Sequence, residues 1–182
     1  MIITIRRVDT PAQCVDIEEL AVLHHTEFGC GREFDKRVVG KHAYYAISDP
    51  ERKYINGWVA YDQFEVPVGY IVGTIRDSCY SERTYAIQEM WFVLPKARKS
   101  FAALHLIKVF EDWAIERGVE RIYAQVEHDH DDVLVERIFK MMRIMGYKKQ
   151  GYVGVKQVGK QQQEKEVEDD RSTHRAVGAE QA

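Results

Sequence analysis

The chain has 182 residues, of which 45% are hydrophobic and 30% charged, enough for one globular domain with a sizeable core. A formal net charge of -3 and a pI near 6.2 argue against general nucleic-acid binding, which shows a basic excess. Three cysteines (Cys14, Cys30 and Cys79) are too few and too scattered for a disulfide framework. Neither a signal-peptide apolar region nor a run approaching the ~20 residues of a membrane span occurs, so the expected setting is soluble and cytoplasmic, with no membrane partner.

Residues 2–8 alternate and are rich in β-branched side chains, which predicts a short first strand stopped by Asp9-Thr10-Pro11. In residues 14–28, Ile17, Leu20, Ala21, His24 and Phe28 recur at intervals of three and four, one face of a helix that Gly29 and Gly31 end. A shorter helix is expected within residues 35–45. The period then changes: residues 57–61, 68–75 and 85–94 are rich in Val, Ile, Tyr and Trp and separated by turn formers, an antiparallel meander of three strands. After Pro95, Ala103, Leu106, Ile107, Phe110 and Ala114 share a helical face, with Gly118 as the cap. Ile122, Ala124 and Val126 alternate as a strand. Val135, Ile138, Phe139, Met142 and Met145 line a last helix that Gly146 stops, and residues 147–158 resume a strand pattern.

This order predicts an α/β (α+β) fold with a mixed sheet, in which the meander is followed by a β-α-β crossover and a parallel strand pair. One domain is expected over residues 1–158. Residues 159–182 are charged and nearly free of large apolar side chains, and read as a disordered tail that cannot offset its ordering entropy. Where parallel strands splay, a cleft opens beside the crossover helix N-terminus. The stretch VLPKARKSFAALHLIK falls there, and its Lys96, Arg98 and Lys99 add charge to helix-start amides that favour an anion.

The run Gln88-Glu89-Met90-Trp91-Phe92-Val93-Leu94-Pro95-Lys96-Ala97-Arg98, the helix ending Asp112-Trp113-Ala114-Ile115-Glu116-Arg117-Gly118, and the closing Met145-Gly146-Tyr147 together resemble the GNAT acyltransferases. Val66-Pro67-Val68-Gly69-Tyr70 resembles that family's third strand. The resemblance implies a GNAT-like fold that binds acetyl-CoA in the V between the fourth and fifth strands. Backbone groups near Phe92 and Val93 would hold the pantetheine arm, and the turn would hold the pyrophosphate. The family's turn reads Arg or Gln, two residues, Gly, one residue, Gly or Ala. Here it stands as Arg98-Lys99-Ser100-Phe101-Ala102-Ala103, with Phe101 in place of the central glycine. If that position is part of a right-handed helical turn, the ring can point away; if it needs a positive φ, binding fails.

Amine acylation needs a base. The resemblance implies that Glu89 is this base, acting through water; a paired or solvated glutamate on a strand is the other reading. For the acid, the family's tyrosine position is held by Met142, which lies on an apolar helical stripe. Tyr147 and Tyr152 are near in sequence, and neither is singled out. Glu127-His128-Asp129-His130-Asp131-Asp132 has metal-ligand types without a recognised spacing, and reads as a polar loop entering a helix, so no metal is expected. His24 and His105 fall within helical patterns and read as packed or surface residues; His25 and His42 carry no pattern. No base pairs with Cys79 in the sequence. The expected function is acetyl transfer from acetyl-CoA to an amine of a small molecule or protein, by a monomer or homodimer. The alternative is a GNAT-fold binding or assembly protein without chemistry, suggested by Phe101, Met142 and the charged tail.

Overall fold

The structure is a computed structural model and describes residues 1–28, 34–49, 51, 53–79, 82–126 and 132–149. The chain forms two units, Met1–Lys140 and Met141–Ala182. Its elements are β1 (Ile3–Arg7), α1 (Pro11–Phe28), α2 (Lys36–Ser48), β2 (Ile55–Asp62), β3 (Pro67–Asp77), β4 (Thr84–Val93), a 3-10 turn (Pro95–Ala97), α3 (Ala102–Glu116), β5 (Arg121–Ala124) and α4 (Asp132–Ile144). The five strands form one sheet in sequence order, antiparallel from β1 to β4, with β5 parallel to β4. This is the predicted mixed sheet.

Local chemistry sets the helix ends. The expected stop at Asp9-Thr10-Pro11 is a capping box: Gln13 N–H donates to Thr10 Oγ1 (3.4 Å), and Thr10 N–H donates to Gln13 Oε1 (3.1 Å). At α2, Asp35 accepts from Arg37 N–H (2.9 Å). Gly118 ends α3 at φ 73, a left-handed value that costs glycine little. There the Gly118 amide reaches Ile115 O (2.9 Å) and the Val119 amide reaches Ala114 O (3.3 Å).

Alternation along the strands divides the core. Val59, Tyr61, Tyr70, Val72 and Phe92 pack with Cys14, Ile17, Leu20 and Ala21 of α1 and Ala43 of α2. On the other face, Phe110 of α3 covers Gly73 so closely that a Cβ there would sit 2.2 Å from the ring. Trp113 meets Trp58 edge-on with centroids 5.8 Å apart. Each such large side chain, fully buried, contributes about 1.5–3 kcal/mol. The inward row of α3 starts at Ala102, which is fully buried, and not at Ala103, which is only half-buried. Ala102, Leu106, Phe110 and Ala114 stand four apart, and that row faces the sheet.

In the second unit, Gly146 (φ 93) closes the last turn with its amide on Arg143 O and the Tyr147 amide on Met142 O, each 3.0 Å. Met142 is 2% exposed, in keeping with its place on the apolar stripe. Residues 147–149 carry no strand. The rest of the expected last strand, the 158/159 boundary, the tail, Tyr152, Gly29, Cys30, Gly31 and residues 127–131 of the acidic and histidine cluster lie outside the described residues. Among those described, no helix is long and apolar enough to cross a membrane.

Candidate active site

β4 and β5 pair only from Tyr85 with Arg121 to Gln88 with Ala124. There buried Gln88 turns its Oε1 to the Gln125 amide (3.2 Å), and the strands part. β4 runs on to Val93 with no partner on that edge among the described residues. The Leu94 amide donates to Val68 O (2.8 Å). By alternation, the peptide groups of Trp91 and Val93 face the open edge, while those of Phe92 face β3. The Val93 amide is thus turned to the open edge, whereas the Phe92 backbone is spent on the β3 ladder.

A β-bulge sits at the base of the opening. Val72 faces Met90 and Gly73 faces Gln88, which leaves Glu89 without a cross-strand partner and re-aims it. Glu89 Oε1 accepts from Thr74 Oγ1 and from an Arg76 Nη2–H, both at 2.6 Å. Oε2 has no partner among the described residues. Glu89 lines a cleft of about 430 Å³ with Tyr70, Gln88, Met90, Trp91, Gln125 and Val126. A half-buried carboxylate with one oxygen anchored and one open can accept a proton from a bound water or amine.

The basic turn follows. Phe101 has φ -83, which any residue adopts, and its ring is 69% exposed and stacked on His105 (6.1 Å, 21°). Its position needs no glycine. Ser100 Oγ donates to Ala97 O (2.6 Å) and accepts from the Ala102 amide (3.2 Å), so Ser100 and Ala102 cap the turn internally. The amides of Phe101, Ala103 and Leu104 have no acceptor among the described residues. Lys96 and Lys99 are exposed. Arg98 departs from its expected part as a phosphate-facing charge. Its Nε–H donates to Val93 O (3.0 Å), and its fork grips the Glu27 carboxylate at 2.6 and 2.7 Å. Its plane also lies over Phe28 and Phe92, 5.4 and 5.8 Å from their centroids.

The opposite wall comes from α1, α2 and Phe34 just ahead of α2. His24, His25, Phe28, Phe34 and Val39 face the same cleft. His24 Nδ1 lies 3.0 Å from Tyr70 Oη, and His25 stacks on Phe34 with centroids 4.8 Å apart. Burial pushes the His24 imidazole down to about 4 and the Tyr70 phenol up. Spacing alone hides these two histidines. His24 occupies the apolar stripe of α1, and its partner on β3 becomes visible only when the helix is laid on the sheet.

Several solved structures share the fold. An aminoglycoside acetyltransferase from an uncultured soil metagenomic sample superposes with TM-score 0.65 at 16% identity, over 87% of this chain and all of that one. A ribosomal-protein-alanine N-acetyltransferase from Brucella melitensis biovar Abortus 2308 gives 0.62 at 13%, over 87% of this chain and all of that one. AAC(6')-Iy in complex with the bisubstrate analog CoA-S-monomethyl-acetylneamine gives 0.65 at 15%, over 87% and 99%. No functionally curated protein matches the chain. The profile of the acetyltransferase (GNAT) family matches residues 6–136. That span holds the bulge, the parted strands and the helix-start turn, and on it the chain belongs to the GNAT acetyltransferase family.

Proposed function

We propose that the chain transfers an acetyl group from acetyl-CoA to an amine, with Glu89 as the proton acceptor. The observation that carries this reading is the bulge, which sets Glu89 at the mouth of the parted strands with Oε2 open. Acetyl-CoA supplies a thioester carbonyl that a neutral amine attacks and a thiolate that leaves readily. The open peptide group of Trp91 and the free amide of Val93, whose carbonyl is held by Arg98, fit its amide-bearing arm, as an added strand would. The amides of Phe101, Ala103 and Leu104, with Lys96 and Lys99 beside them, fit its phosphates. Glu89 takes the amine proton directly or through one water, and its ties to Thr74 and Arg76 hold it in place. Met142, apolar and buried, has no proton to give the leaving group. The outward Phe101 ring weakens one of the three reasons for a non-catalytic binding role. The structural neighbours named for aminoglycosides and for a ribosomal protein differ in acceptor on one fold, so the fold leaves the acceptor open.

Calorimetry with acetyl-CoA tests the donor half. Saturation at about a hundred times Kd should raise stability by about 2.7 kcal/mol. Release of CoA thiol with a panel of amines tests the chemistry, and Glu89→Gln should lower kcat/KM by about 10²–10⁴ while leaving acetyl-CoA affinity unchanged. Full activity in Glu89→Gln would remove Glu89 from the mechanism, and no heat or thermal shift with acetyl-CoA would remove the whole reading.

A further inference from the structure

Acetyl transfer as described makes no use of His24, although it lies in the cleft wall. The ring lies flat on Phe92 (4.8 Å, 11°) and meets Phe28 edge-on (5.5 Å, 85°), so its orientation is set by packing. Nδ1 faces Tyr70 Oη at 3.0 Å. Nε2 has no partner among the described residues. Tyr70 is 1% exposed, and His24 is its one hydrogen-bond partner among them. A buried phenol retains its proton and needs an acceptor for it. Nδ1 is that acceptor, which puts the hydrogen of the neutral ring on Nε2. Desolvation keeps the ring neutral near pH 7; Glu27 opposes it, and Arg98 and His25 reinforce it.

We propose that His24, with its tautomer set by Tyr70, is an acceptor-binding residue whose Nε2–H donates to an oxygen borne beside the reacting amine. This rests on the acetyltransferase reading above. An Nε2 that already carries a hydrogen cannot also take one from the amine, so the base remains Glu89 and the role of His24 is orientation. The acceptor class that exploits such a donor is an amine with a nearby carbonyl or hydroxyl, as in an α-amino amide. A bare alkylamine would leave the donor unpaired.

The probes are acetyl-CoA with phenylalaninamide, which carries the oxygen, and phenethylamine, which lacks it. Wild type should favour the amide in kcat/KM. His24→Phe should cut that preference roughly tenfold, the effect of one lost neutral hydrogen bond, with KM for acetyl-CoA unchanged. His24→Gln, which keeps an N–H donor, should recover part of the preference. Nitrogen NMR of the imidazole should find hydrogen on Nε2 in wild type and mixed tautomers in Tyr70→Phe, a readout that loss of packing alone would not move. An unchanged preference in a folded His24→Phe, no preference in wild type, or hydrogen on Nδ1 overturns the proposal and leaves the acetyltransferase reading standing. Failure to bind acetyl-CoA overturns both.

Discussion

The two walls of the cleft are made of different material. On the β4 side the groups left open are main chain, the Trp91 peptide and the Val93 amide, followed along the chain by the amides of Phe101, Ala103 and Leu104. On the α1 side they are rings, with His24 joined to Tyr70 across 46 residues of sequence and His25 stacked on Phe34. Arg98 ties the walls together, with one hydrogen bond to Val93 O and a fork on Glu27. Backbone geometry follows from near neighbours and strand register, so the first wall tolerates many side chains. Side-chain pairs depend on which helix lands on which strand, so single substitutions can change the second.

Adjacent prolines would compare the paired and open edges of β4 most sharply. Phe92→Pro removes an amide that serves the β3 ladder and a ring that is 3% exposed, and should cost about 3 kcal/mol or more in a urea titration. Val93→Pro removes an amide that faces the open edge. It should cost only about 1 kcal/mol and weaken acetyl-CoA binding about tenfold by calorimetry. Equal destabilisation by the two would mean that the open edge is wrongly assigned.

The ring wall carries a smaller and pH-dependent effect. Folded His24 is pushed down to about 4, whereas an exposed histidine titrates near 6.5, so between those values the unfolded chain binds the extra proton. Stability should therefore fall as pH drops from about 6.5 toward 4, by up to about 3 kcal/mol for this group. The difference between wild type and His24→Phe isolates it from the carboxylates, and parallel curves for the two proteins would show that His24 is not desolvated.

The smallest effect is expected at Phe101. With φ -83 and an outward ring, Phe101→Gly should change acetyl-CoA affinity less than about twofold and stability by about 0.5 kcal/mol or less. A gain in affinity of about tenfold would show that the ring obstructs the phosphates after all.

Much of the fold was legible because its signals are local. The stop at Asp9-Thr10-Pro11, the glycine caps at Gly118 and Gly146, and the change of period between α2 and β2 each lie within a few residues. The sequence pattern starts the α3 face at Ala103 and the structure starts it at Ala102, since the two alanines are alike in sequence and only contact with the sheet tells them apart. Glu89 could be named from its motif. The bulge that aims it could not, because a bulge is a mismatch between two strands.

What the sequence alone determined is the order of strands and helices, the family resemblance and the place of the basic turn, since each is written in adjacent residues. Tertiary structure alone decided that Arg98 turns to Glu27, that Trp91 and not Phe92 opens its peptide to the cleft, and that His24 rests against Tyr70. Those outcomes depend on register and on helix placement, where a shift of one residue reverses the direction of every group along the strand.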